Sequence, residues 1–188
     1  MRIARSIGLS LSLTVLASSL PSCGTAPKTA ADRRVLAADV NAFIVGLKET
    51  DPTIAKYFDS AAGYAVYPSI GKGGLIIGGA FGRGEVFLNG GTRIGYSDLT
   101  QGSIGAQIGG QSFGEIIFFE TTDALSRFKN GNLVLSATAS AVAVSAGAAA
   151  EAKYDHGVVV FLTQPKGLMV EASVGGQQLG YRSVADLE

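Results

Sequence analysis

The chain has 188 residues, with 15 Lys and Arg balanced by 15 Asp and Glu, one Cys, one His, no Trp and 26 Gly, the last about twice the usual share. A zero net charge argues against a nucleic-acid binder held by bulk charge. A single Cys excludes an internal disulfide and a Cys-based zinc site, and a single His excludes a His-rich metal centre. What remains is one small, apolar, Gly-rich domain.

Arg2 and Arg5 precede the apolar run Ile7 to Ala17. That run falls short of the roughly 20 residues a spanning helix needs and suits a secretory signal. Leu20-Pro21-Ser22-Cys23 then resembles a bacterial lipobox, although Pro21 is not the residue usual there. In lipoproteins that Cys takes a diacylglyceryl group, the signal is cut before it, and the new amine is acylated with a palmitate-type chain. More than one chain gives stable anchoring. Gly24 rather than Asp follows Cys23, so no inner-membrane retention signal is visible. The expected layout is a signal peptide over 1–22, a lipid-anchored tether over 23–28 and a domain over 29–188. The expected location is the cell envelope, at the outer membrane and facing the periplasm.

Thr29 and Asp32 read as a capping box. Leu36, Val40, Phe43, Ile44 and Leu47 follow on one helical face, predicting a helix from Ala30 to Lys48. Asp51-Pro52 reads as the start of a second helix carrying Ile54, Tyr57 and Phe58. From Gly63 the period becomes two. Tyr64 to Tyr67 alternates and is expected to stop at Pro68. Gly71 to Gly91 and Thr92 to Glu120 read as short strands broken by Gly, with bulges or bends. Thr121-Thr122-Asp123 caps a short helix with Leu125 and Phe128, ended by Asn130-Gly131. Leu133 to Ala150 has no charge; its alternation and small side chains favour a strand or hairpin over a membrane span. Val158 to Leu162, the turn Thr163 to Gly167 and the segment from Leu168 on read as a closing hairpin. The fold class is α+β: N-terminal helices, then a curved, Gly-rich, mostly antiparallel sheet of half-barrel or sandwich type with one short inserted helix. Gly78 to Phe87 weakly echoes Gly109 to Phe118, which is read as a likeness between Gly-rich hairpins.

The ordered series AGYAVYPSIGKGG, GGAFGRGEV, YSDLTQGSIGAQIGGQS and EIIFFETTDALSRF, from Ala62 on, resembles the SYLF-domain family. The likeness covers about Ala30 to Gly180. It implies a lipid-binding module. The family's bacterial members include lipid-binding lipoproteins, and its eukaryotic members bind phosphoinositides near actin patches. Lys166-Gly167-Leu168 match a late family motif, but Gln164 stands where a basic residue is usual and Glu171 near an expected Gly. Phosphoinositide specificity and the actin connection are therefore not carried over.

Three chemistries compete. Gly110 to Gly114 fits G-x-S-x-G around Ser112, with Asp123 or Asp155 and then His156 in hydrolase order. The motif needs a helix after the serine, and a strand is expected instead, so a hydrolase is disfavoured. Gly71-Lys72-Gly73-Gly74 could cradle a phosphate in a turn; Arg83 between two glycines and Lys166 at a hairpin tip invite the same reading. If these tips share one edge, Lys72, Arg83 and Lys166 form an anionic headgroup patch, each residue worth about 1 kcal/mol near such a surface. An outer-membrane barrel is disfavoured by the short, broken strands. The expectation is a non-enzymatic lipid-binding, membrane-associated envelope lipoprotein. Its lipidation site is Cys23. It has no catalytic residues, metal or cofactor; its partner is membrane lipid, with anionic phospholipid the favoured class, and it binds no nucleic acid. The alternative is an envelope scaffold that binds a protein partner and uses lipid only as its anchor.

Overall fold

The structure is a computed structural model that describes residues 26–74, 77–104, 111–133, 141–163 and 176–187. Helix α1 runs from Ala30 to Thr50 and carries the expected capping box: Asp32 N–H donates to Thr29 Oγ1, and Thr29 N–H to the Asp32 carboxylate. Asp51 closes α1 and opens a 3-10 turn, Pro52–Ile54, that leads into α2, Ala55–Ser60. Strands β1 (Gly63–Gly74), β2 (Ile77–Leu88), β3 (Arg93–Ile104) and β4 (Gln111–Phe119) form an antiparallel run. Helix α3, Thr122–Lys129, is capped by Thr121 and followed by Gly131 at φ +69°, a left-handed conformation that glycine adopts without strain. Strand β5 (Ala141–Ala143), helix α4 (Ala148–Glu151) and strands β6 (Val158–Thr163) and β7 (Gln177–Ser183) complete the described elements.

The seven strands make one sheet in the order β5-β6-β4-β1-β2-β3-β7, antiparallel except for β5 beside β6. In a flat sheet β4 and β7 would lie about 19 Å apart, four strand spacings. Yet Gln177 on β7 donates to Glu115 on β4 across 2.9 Å. The sheet is therefore curled, and its concave face encloses one core: Tyr67, Ile70, Val86, Leu99, Ile117, Phe119, Val160 and Leu179, with α3 contributing Ala124, Leu125 and Phe128. The convex face carries the other core, in which Val66, Phe87, Ile116, Phe118 and Phe161 meet Val40 and Leu47 of α1, Ile54, and Tyr57 of α2. Each central strand thus buries both faces, one residue in and the next out.

Three expectations change. Strand β1 does not stop at Pro68. The register slips between Val66 and Ser69, and the bulge absorbs a residue with no N–H to give the ladder. Gly71 and Lys72 continue β1 rather than forming a turn. Of the uncharged run from Leu133, expected as a strand or hairpin, 134–140 lie outside the described residues, Ala141–Ala143 is strand, and the end of the run is helical, within Ala148–Glu151. Among the described residues no helix is long and apolar enough to cross a membrane. Of the expected closing hairpin, Val158 to Leu162 is strand β6, while 164–175, with most of the turn and the start of the return, lie outside the described residues.

Candidate functional site

Two places on the curled sheet concentrate polar chemistry. The first is a shallow cavity of about 250 Å³ on the convex side, lined by Pro27, Asp32, Val35, Leu36, Asp39 and Arg83. The capping box sets the start of α1, so its first two turns lie over β2 here. Arg83 sits mid-strand, opposite Ser69 on β1 and Asp98 on β3. Its guanidinium stacks over the Phe81 ring, 5.6 Å from the centroid, and its buried Nε has no partner. Phe81 and Val35 are exposed here, at 43% and 62%. The cavity therefore combines one cation, two carboxylates and an apolar rim.

The second place is inside the curl. Tyr67 and Ser97 hydroxyls lie 2.6 Å apart, and Ser97 Oγ donates to Gly180 O at 2.5 Å. Ser97 has one proton, so Tyr67 must be the donor between the two hydroxyls. Burial pushes the Tyr67 phenol far above its ordinary range, and the Glu115 and Asp98 charges add to that. Glu115 is fully buried, and burial raises its carboxyl to about 7 against the opposing Gln177 hydrogen bond. On the other face Glu85 is also buried and raised by burial, while Arg93, paired with it at 2.5 Å, pulls the other way. These internal glutamates escape a sequence reading, because each sits in a Gly-Glu step that looks like an ordinary strand surface. The only signal was the echo between Gly84-Glu85 and Gly114-Glu115. The structure gives that echo a place: β2 and β4 are the two strands that flank β1.

The expected headgroup residues do not form one patch. Lys72 shares the concave face with Ile70 and pairs in register with Ala80, whereas Arg83 lies on the convex face beside α1. Lys166 lies outside the described residues, as does Cys23. The hydrolase constellation is not assembled either. Ser112 Oγ is bonded to Ser69 Oγ at 2.8 Å near the start of β4. His156 sits on an exposed turn with φ +49°, paired with Asp155, and Glu120 N–H donates to the neighbouring Gly157 O beyond the end of β4. Eight strand residues, about 26 Å, separate the two ends. Asp123 is engaged with Arg127 at 3.3 Å. Among the described residues no cluster of three or more His, Cys, Asp or Glu could hold a metal ion.

Architecture and sites together define an α+β protein built on one curled, mostly antiparallel sheet, with a helix packed on each face. Residues 100–186 match the family described as Ysc84, Las17-binding protein actin regulator. Beta cell expansion factor A of Aeromonas veronii is 26% identical over 153 residues, 81% of this chain. The chain spans 58% of that relative's length. Residues 100–186 are thus similar to the Ysc84 family, in keeping with the SYLF resemblance that the Gly-rich motif series carries.

Proposed function

We propose that this protein is a non-enzymatic lipid-binding lipoprotein of the bacterial cell envelope, anchored through Cys23 at the outer membrane and facing the periplasm. The SYLF resemblance of the Gly-rich motif series carries the lipid-binding reading, and the similarity of residues 100–186 to the Ysc84 family supports that resemblance. The convex cavity supports it. Ala26 and Pro27 are buried, and Pro27 lines the cavity beside Arg83. Only Gly24 and Thr25 separate Cys23 from Ala26, a reach of about 11 Å at most. An acylated Cys23 would therefore hold the cavity, with exposed Val35 and Phe81 on its rim, close to the bilayer surface. Arg83 then serves as the headgroup contact on this side. Lys72, on the concave face, would serve a separate contact, and Lys166 belongs to the same hypothesis.

The test is co-sedimentation of the mature chain carrying Cys23→Ser with neutral and anionic vesicles at low and high salt. Binding to anionic vesicles that weakens with salt, and falls severalfold in Arg83→Ala, is the expected result. Absent binding to every vesicle would overturn the reading. It would leave the acyl chains as the sole attachment and favour a scaffold that binds an envelope protein.

A further inference from the structure

We propose that Glu115 and Gln177 form a proton-controlled latch that holds the edge strand β7 against β4 across the concave face of the curled sheet. The latch is independent of the lipid-binding reading.

Gln177 Nε2 donates to Glu115 Oε2 at 2.9 Å, and both side chains are buried, at 3% and 0% exposure. The remaining oxygens of the two groups, Glu115 Oε1 and Gln177 Oε1, are also buried, and neither has a hydrogen-bond partner. An ionised carboxylate only accepts, and an amide oxygen only accepts. The pair therefore cannot satisfy itself while Glu115 is charged. One proton on Glu115 Oε1 resolves both atoms at once. Carboxylic acid and carboxamide then close a ring of two hydrogen bonds, amide N–H to carboxyl oxygen and acid O–H to amide oxygen. Leaving two buried acceptors without donors would cost stability; the acid form removes that cost.

Among the described residues, neither free oxygen meets another donor. Tyr67, opposite Glu115 on β1, gives its proton to Ser97, and Ser97 gives its own to Gly180 O. The register partner on β6 is Leu162. Helix α3 presents Ala124, Leu125 and Phe128 to this core, with its Asp123–Arg127 pair outside it and Lys129 over the Tyr181 ring at 5.6 Å. On β3, Asp98 adds negative charge near Tyr67, and Gln101 faces Gln177 in register and has an interaction of its own. Lys72 shares the concave face further along β1, at the level of Gln111. Burial pushes the carboxyl up to about 7 while the Gln177 bond opposes it, so the proton leaves close to neutrality.

Among the described residues, β7 pairs in the ladder with β3 alone, is tied to it further by Ser97 Oγ to Gly180 O and Tyr181 OH to Ile94 O, and packs on the core through Leu179 and the Phe128–Tyr181 ring contact. Loss of the proton leaves two buried acceptors together and a buried charge. The β4–β7 contact then loosens while the rest of the sheet stays paired.

Hydrogen exchange of the mature chain, corrected for the intrinsic pH dependence of exchange, tests this. Between pH 5.5 and pH 8.5, amides of Gln177 to Ser183 are expected to lose at least tenfold in protection relative to those of β1. In Glu115→Gln, two carboxamides keep both hydrogen bonds at every pH, so that loss is expected to vanish. An equal loss in Glu115→Gln, or no loss in the unaltered chain, overturns the latch. Should Glu115→Gln fail to fold, a carbon-13 titration of the unaltered chain decides: a Glu115 carboxyl midpoint near 7 supports the latch, and one in the ordinary carboxylate range overturns it.

Discussion

Asp51 ties three segments together with one carboxylate. It receives the Thr53 backbone N–H at 3.1 Å, the Thr53 hydroxyl at 2.6 Å and the Ala149 backbone N–H at 2.7 Å. It thereby caps the turn after α1 and holds α4, nearly a hundred residues away, against it. Burial alone would raise its pKa, but these donors outweigh burial and hold the carboxyl below its ordinary value. Asp51→Ala removes a cap and leaves the Ala149 N–H buried without a partner. The expected cost is about 2–4 kcal/mol. It would appear as a lower denaturant midpoint at an unchanged slope.

Packing of α1 on the sheet depends on a glycine that the sequence shows only as one of many. A Cβ at Gly114 would run into the Phe43 ring. Gly114→Ala is expected to destabilise the fold by about 1–3 kcal/mol through overpacking. If that clash is the cause, Gly114→Ala combined with Phe43→Ala should cost less than the sum of the two single changes, as measured by a double-mutant cycle. Gly84 permits a similarly close approach on the concave face, between β2 and β1, where a Cβ would meet the Val66 carbonyl and the Tyr67 ring. These positions explain what could be read in advance and what could not. Helices α1 and α3 announce themselves through local chemistry: a capping box, a Thr cap, a positive-φ Gly and apolar residues at helical spacing. The bulge at Pro68 is different. It flips the face of every later β1 residue, so that Ile70 and Lys72 point into the curl. No local signal says whether a Pro ends a strand or bends it. Lys72 and Arg83 were expected to meet if their loops shared an edge, yet strand register sets them on opposite faces. Beyond the echo of their Gly-Glu steps, nothing marked Glu85 and Glu115 as buried, since a glutamate in an alternating strand ordinarily marks the wet face.

At the scale of the whole molecule, buried carboxyls with opposite shifts set a window of pH for stability. The native state holds the Asp51 carboxyl below its ordinary 3.8. Its contribution is therefore present above that value and is lost as pH falls through the lower native pKa. Glu115 is raised from 4.5 to about 7, and Glu85 is raised as well. Their contributions run the other way. They are complete below 4.5 and disappear as pH climbs, for Glu115 through about 7. At about 1.4 kcal/mol per pKa unit, the Glu115 shift amounts to on the order of 3 kcal/mol between those limits. A buried, unpaired charge is among the costlier things a small domain can carry. The melting temperature is thus expected to peak in mildly acidic solution, near pH 4 to 5, and to decline through neutrality. Scanning calorimetry of the protein from pH 3 to pH 9 reads that profile. Glu115→Gln should flatten most of the alkaline decline, leaving only the Glu85 part, without touching the acid side. Asp51→Asn should do the reverse at an overall cost in stability. A profile that rises from pH 5 to pH 8, as in a protein whose carboxylates are mainly salt-bridged, would mean that Glu115 is ionised in the native state and that the inside of the curl is wetter than its packing indicates.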